Sequence, residues 1–150
     1  MNFLPDTSFL CALYHEQSNS DLVNACLEEF DEPLSITAAL EFEFRASVEL
    51  QVFLRKGDRS KGYSEGEAAA VLAAFESNLS RGAVRIVPCD WALVFRHAQR
   101  IAEKSCRTDG IRSMDILHVA SAIHLGAHAF ATFDERQRRL ARKHELKTIP

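Results

Sequence analysis

The chain has 150 residues, of which 47% are hydrophobic, and its formal net charge is −3. This length allows one domain with its own core but is short for two. No apolar run is long enough to span a bilayer, and the net charge gives no sign of a generally basic nucleic-acid binder. We therefore expect a single domain over residues 1–150 of a soluble, cytoplasmic protein without membrane association.

Strands and helices are predicted to alternate along the chain. In chain order the predicted elements are a strand MNFL, helices TSFLCALYHE and SDLVNACLEEF, a strand LSIT, helices AALEFEFRASVELQVFLRK and SEGEAAAVLAAFESNLSR, a strand AVRIVP, helices DWALVFRHAQRIAEKSC and SMDILHVASAIHL, a strand AHAFATF, a helix DERQRRLARKHE and a strand LKTI. This order predicts an α/β fold in which helices cover both faces of a mostly parallel sheet.

Local signals place several helix ends. Ser20 or Asp21 is a plausible N-cap of the second helix, and Ser64 with Glu67 forms a possible capping box at the fourth. The segment RTDG, before the apolar helix SMDILHVASAIHL, is predicted to be a turn.

Acidic residues follow the predicted strands. Asp6 comes directly after the first strand, Glu41 and Glu43 lie on the helix after the second, and Asp134 follows AFATF. Asp115 begins a helix that is apolar almost all round, where a carboxylate is costly unless it is paired or bound to a metal. Because parallel strands end at one edge of a sheet, these acids are expected to meet there.

Each acid also has a purely structural interpretation. Asp6 is a possible helix cap, Asp134 a possible cap with Gln137 as its capping-box partner, and Asp115 sits at the favourable end of a helix dipole. Taken together, these roles do not explain why the acids cluster at the same ends of successive strands. Clustered carboxylates repel one another unless a cation neutralises them, and their hard oxygen ligands suit Mg²⁺ or Mn²⁺ better than zinc. Such a centre supports phosphodiester hydrolysis.

Three segments resemble one family. LPDTSFL, SITAALEFEFRAS and RSMDILHVASAIHLGAHAFATFDERQRRLA are similar in order and spacing to PIN-domain ribonucleases, in particular VapC-like toxins of toxin–antitoxin pairs. The resemblance implies a PIN-like three-layer fold with four to five mostly parallel strands. It also implies an endoribonuclease that uses Mg²⁺ or Mn²⁺, is controlled by a cognate antitoxin and forms a homodimer.

The resemblance also assigns site residues. The acidic quartet of catalytic metal ligands falls on Asp6, Glu43, Asp115 and Asp134, with Glu41 as the alternative to Glu43. Four further residues are expected to orient these acids, namely Thr7, Ser8, His118 and Thr132; His118 is expected beside Asp115.

RNA phosphates are expected to meet basic side chains. The candidates are Arg45, Arg112, Arg136 and Arg139, together with the basic loop RKGDRSKG. Apolar residues of the middle helices, Phe42, Phe44, Phe53, Val71, Leu72 and Phe75, fit a dimer interface, an antitoxin groove or plain core packing. Two other functions stay open: a DNA nuclease that uses the same acids, and a catalytically idle RNA-binding or interaction module.

Overall fold

The computed structural model describes residues 1–30 and 32–150. In the described residues, the elements are β1 (Phe3–Pro5), α1 (Thr7–Tyr14), α2 (Ser20–Glu29), β2 (Leu34–Ile36), α3 (Ala38–Gly57), α4 (Glu65–Ser80), β3 (Val84–Ile86), α5 (Trp91–Asp109), α6 (Ser113–His124), β4 (Ala129–Ala131), α7 (Glu135–Lys143) and β5 (Lys147–Ile149). None of the described helices is both long enough and apolar enough to cross a membrane.

All strand pairs of the described chain are parallel. β4 lies between β1 and β5, and β2 pairs with β3. β1 and β2 pack side by side without a ladder, so the predicted single sheet is divided in two. Pro5 gives a physical reason. The Asp6 N–H bonds Ala131 of β4, so the preceding residue faces β2, and proline has no N–H to donate there.

The sheet separates two apolar cores. Alternate residues of a strand face opposite sides, so Phe3 packs with α1, α2, α3 and α4 while Leu4 packs with α5, α6 and α7. β4 repeats this alternation, with Ala129 in the first core and Phe130 in the second. The predicted α/β architecture with helices on both faces is therefore confirmed.

Helix ends largely follow the predicted caps. The Ser64–Glu67 capping box begins α4. The second helix departs from the prediction, because its N-cap is Asn19 and the Ser20 hydroxyl instead donates to the Ala12 carbonyl. The prediction of a turn at RTDG is wrong for its first three residues, because α5 continues through Asp109. It ends at Gly110, whose φ of 64° suits a helix C-terminus.

The apolar residues of the middle helices divide between core and surface. Phe44, Val71 and Phe75 are buried in the first core, so core packing explains them. Phe42 and Phe53 are 69% and 70% exposed, which leaves an apolar stripe along the outside of α3.

Candidate functional site

The acids meet at one edge of the sheet because of the parallel topology. Asp6 follows β1 directly, and Asp134 follows β4 after Thr132. Thr37 follows β2 and caps α3 through its side chain, which starts the helix that carries Glu43. Asp115 arrives in the first turn of α6.

Asp6 is completely buried and held by four donors. Oδ1 accepts from the Ser8 hydroxyl at 2.6 Å and the Phe9 amide at 3.0 Å. Oδ2 accepts from the Thr132 hydroxyl at 2.5 Å and the Gln137 amide at 2.9 Å. Burial raises the pKa of Asp6, and the bonds from Ser8, Thr132 and Phe9 oppose that rise. Asp6 thus caps α1, as its structural interpretation predicted, and is also the most deeply buried of the acids.

Glu43 and Glu41 point to different partners. Glu43 Oε2 accepts from the Thr7 hydroxyl and lies 2.6 Å from Nε2 of the fully buried His118. Partial burial raises the pKa of Glu43, but the bonds from His118 and Thr7 outweigh it and lower the pKa overall. Glu41 instead bonds Arg45, four residues along the same helix. The structure therefore brings Glu43, and not Glu41, to the other acids.

His118 lies near Asp115, as expected, and also bonds a second acid. It opposes the rise in the pKa of Asp115, three residues away on α6, while its hydrogen bond goes to Glu43, which is 75 residues away in sequence. An ionised carboxylate only accepts hydrogen bonds, so Nε2 carries the proton in this contact.

Asp115 lies in surroundings that disfavour its charge, whereas Asp134 caps a helix. Burial raises the pKa of Asp115, and the nearby charges of Asp134 and Glu43 raise it further. Asp134 caps α7, with Oδ1 accepting from the Arg136 and Gln137 amides at 2.7 and 3.1 Å. Like charges that raise the pKa of Asp115 mark a place where a cation would bind favourably.

The acids suit a hard cation in their donor chemistry, although the described residues contain no group of three or more His, Cys, Asp or Glu side chains arranged to hold a metal ion. All the donors are carboxylate oxygens, and the repulsion at Asp115 is the kind that Mg²⁺ or Mn²⁺ relieves. Asp6 is the exception, because its four acceptor positions are already filled. That Asp6, Glu43, Asp115 and Asp134 bind metal stays a prediction.

Gln137 is the site residue that sequence reasoning missed. It was considered only as a capping-box partner of Asp134, but its side-chain amide donates to Asp6 across 131 residues. Only its backbone N–H bonds Asp134. Gln137 is 5% exposed. The one signal of its role in the sequence was an uncharged amide on a strongly basic helix.

Thr7, Ser8 and Thr132 all contact the acids, as expected. Ser8 connects two of the strand ends, because its hydroxyl donates to Asp6 and accepts from the Phe133 amide at 2.9 Å. Hydroxyl groups of this kind set the orientation of neighbouring carboxylates.

The candidate RNA-binding arginines differ in their surroundings. Arg45 lies between Glu41 and Glu76, at 2.9 and 2.5 Å, and over the Phe75 ring, so carboxylates already satisfy its guanidinium. Arg112, Arg136 and Arg139 are exposed, and their side chains form no ion pair or hydrogen bond within the described part of the chain.

Comparison with known families decides the membership of the chain. The PIN domain profile matches residues 3–143. The chain belongs to the PIN domain family. This match confirms the predicted family. PIN domains are typically nucleases that use Mg²⁺.

Solved structures of other PIN proteins share this fold over nearly their whole length. FitAcB from Neisseria gonorrhoeae matches with a TM-score of 0.69 and 20% identity over 99% of this chain and 96% of that chain. VapBC2 from Rickettsia felis, bound to a DNA fragment from its promoter, matches with a TM-score of 0.67 and 15% identity. That match covers 99% of this chain and 97% of the other. VapC20 of Mycobacterium tuberculosis, a Sarcin-Ricin loop cleaving toxin, matches with a TM-score of 0.60 and 18% identity. That match covers 92% of this chain and 94% of the other. A comparison with curated proteins found no match.

Proposed function

We propose that this PIN domain is an endoribonuclease dependent on Mg²⁺ or Mn²⁺, and the toxin of a toxin–antitoxin pair. The observation that carries the proposal is that the strand ends and helix starts bring Asp6, Glu43, Asp115 and Asp134 to one sheet edge, where burial and the charges of Asp134 and Glu43 raise the pKa of Asp115. Similarity of fold to FitAcB, VapBC2 and VapC20 supports the toxin assignment.

Asp115, Glu43 and Asp134 would hold the cation, because their carboxylates are only partly buried. Asp6 would join them once the Ser8 or Thr132 hydroxyl rotates away, since one of its donors must leave before an oxygen can bind metal. When bound, the cation would stabilise the negative charge that develops on the phosphodiester during hydrolysis. The fully buried His118 favours the ionised form of Glu43 and fixes the orientation of its carboxylate through their hydrogen bond.

The residues around Asp6 hold the site together from three elements. Thr132 and Ser8 tie the ends of β4 and β1 to one carboxylate, and Gln137 ties α7 to the same group. This arrangement positions the acids before any ligand binds, which is what electrostatic catalysis requires.

Point variants test the nuclease. Asp6→Asn and Asp115→Asn are each expected to lower Mn²⁺-dependent RNA cleavage by about a thousandfold or more, because each removes a charge from the cation site. Circular dichroism checks that both variants are folded, and a thermal shift with millimolar Mn²⁺ measures binding separately from activity. Cleavage by both variants at the parent's rate would refute the proposal.

Glu43→Gln and Glu41→Gln form a matched pair on one helix. Loss of cleavage and of the Mn²⁺ thermal shift is expected for Glu43→Gln only, because Glu41 is held by Arg45. A larger loss in the Glu41 variant would reverse the assignment. If the parent itself shows no shift with Mn²⁺, the idle binding module becomes the better description, and faster cleavage of DNA than of RNA would favour the DNA nuclease.

A further inference from the structure

A cavity of about 480 Å³ adjoins the acidic site, and we name it the amide cavity. Its walls include Ser8, Gln51, Tyr63 and Phe133. Ser8 also donates to Asp6, so this one hydroxyl forms part of both the cavity and the acidic site. The volume falls within the range of about 300–1,000 Å³ that small-ligand sites occupy.

The lining of the amide cavity combines a flat ring pair with hydrogen-bonding groups. The His15 and Tyr63 rings stack with centroids 4.1 Å apart and 15° between their planes. The side chains of Gln17, Asn19 and Gln51 supply amide donors and acceptors at the same walls. A nucleobase needs this combination, because it has flat apolar faces and polar edges.

A second cavity, of about 450 Å³, shares Tyr63 with the first and is named the arginine cavity. Tyr63 lines both cavities, and Arg55 and Arg59 line the second. Lys56 and Glu65 also line it and pair with each other at 3.5 Å. Arg55 and Arg59 form no ion pair within the described residues, so their charge is available to a phosphate.

The three features follow one another through shared residues. Ser8 joins the acidic site to the amide cavity, and Tyr63 joins the amide cavity to the arginine cavity. A strand of RNA presents the same sequence of groups: a phosphodiester to be cut, a base beside it and a further phosphate. Every phosphate of an RNA strand carries the negative charge that two arginines without an ion pair favour.

We propose that the amide cavity, with the stacked His15 and Tyr63 rings, binds one unpaired base of the RNA, and that Arg55 and Arg59 bind the neighbouring phosphate. The identity of the ligand as RNA rests on the function proposed above. The site gives that nuclease a preference for single-stranded or unstacked RNA, because a paired base cannot enter the cavity.

Binding of short single-stranded RNA tests the base site. Every protein carries Asp115→Asn and the buffer contains EDTA, so no cleavage occurs. The probes are a fluorescent oligouridylate of about ten nucleotides and a ribose-phosphate strand of equal length without bases. His15→Ala is expected to bind the oligouridylate about 10-fold more weakly, because a stacking surface is lost, and to bind the abasic strand with an affinity within about 2-fold of the parent's.

Gln51→Leu provides a second variant that keeps the size of the side chain and removes only its amide. It is expected to weaken binding of the oligouridylate and not of the abasic strand, and it keeps the test valid if His15→Ala lowers stability. Equal effects of both variants on the two probes, or no effect on either, would overturn the base site.

The arginine cavity is tested by its charge. Arg55→Gln with Arg59→Gln is expected to weaken binding of both probes about 10-fold and to lower the magnitude of the salt slope by about 0.7, since the two arginines contact one phosphate and each lost phosphate contact on a single strand removes about 0.7. Lys61→Gln is the matched control, because Lys61 lies on the same loop but pairs with Asp58 at 3.3 Å. Equal binding by the double variant and the control would remove the phosphate contact.

These results are separable from those on the nuclease. Failure of the parent to cleave any RNA, together with base-dependent binding that His15→Ala abolishes, would refute the nuclease and leave the base site standing. RNA cleavage that depends on Asp115, with a KM unchanged by the His15, Gln51 and arginine variants, would leave the nuclease and refute the base site. RNA binding insensitive to all these variants would refute both the base site and the phosphate contact.

Discussion

The Asp115 carboxyl group stands in a place that is unfavourable for its charge. Burial raises its pKa, and the charges of Asp134 and Glu43 raise it further. Because the folded chain binds this proton more tightly than the unfolded chain does, stability falls as the pH rises from the ordinary value near 3.8 through the raised value. At neutral pH the ionised group therefore destabilises the metal-free fold.

Asp115→Asn is expected to stabilise the metal-free protein at neutral pH, because it removes a repelled charge and keeps the shape of the side chain. Solvent screening at this half-exposed position limits the gain in Tm to about 1–3 °C. Thermal unfolding in EDTA at pH 7 and near pH 4 measures it, and the gain is expected to shrink at the lower pH. A Tm that falls at pH 7 would show that Asp115 is better compensated than its surroundings indicate.

Residue identities predicted the acids but not their individual partners. Asp6, Asp115 and Asp134 stand out because carboxylates follow strand ends or interrupt an apolar helix. That Gln137 reaches Asp6 and His118 reaches Glu43 depends on contacts across 131 and 75 residues. No local pattern carries such information, because neither side chain has its partner within reach along its own helix.

The α3–α4 connection illustrates how an element is shaped by a single backbone position. Gly62 has a φ of +66°, and a Cβ built there would lie 2.0 Å from the Gln51 carbonyl oxygen. The next residue, Tyr63, donates its N–H to that same carbonyl. The close approach thus helps to place Tyr63 where it lines both cavities.

Gly62→Ala is expected to lower the free energy of unfolding by about 2–4 kcal/mol, because backbone must move in addition to the cost of positive φ. Gly82→Ala is the control. It has a φ of +74° with nothing within 4 Å of the added Cβ, so only the conformational cost of about 1 kcal/mol applies. Urea unfolding of both variants measures the difference, and equal losses would contradict the close approach.

Helix boundaries were predictable where a side chain caps the end. Ser64 with Glu67 is confirmed in α4, and an aspartate of the common N-cap type, Asp90, caps α5. The start of α2 and the end of α5 were not predictable in this way. For α5, the choice between a turn and further helix at RTDG depends on packing. In the structure Asp109 ends the helix within 2.6 Å of Lys143 of α7.

At the scale of the whole molecule, two sheets lie between two cores, and every strand pair in the described residues is parallel. That arrangement brings the carboxyl ends of β1, β2 and β4 to one edge and leaves the outer face of α3 uncovered. An apolar stripe with Phe42 and Phe53 more than two-thirds exposed is unusual for a surface that meets only water.

We expect the protein to be a homodimer, as the family resemblance implied, with this stripe in the interface. Phe42→Glu with Phe53→Glu is expected to convert the dimer to a monomer in sedimentation velocity, because it buries two charges. Leu22→Glu, at a residue that is 51% exposed on α2, is the control and is expected to leave the dimer intact. A parent that sediments as a monomer would contradict the expectation.

The sequence by itself determined the order of strands and helices, the α/β class and the acids at the strand ends. These follow from local periodicity and from the rule that parallel strands end at a common edge. Only the tertiary structure decided that Glu43 rather than Glu41 faces the site, that the sheet is divided beside Pro5, and that Ser8 and Tyr63 connect the acids to two cavities. Those outcomes depend on which distant side chains meet when helices pack, and packing is set by the whole chain at once.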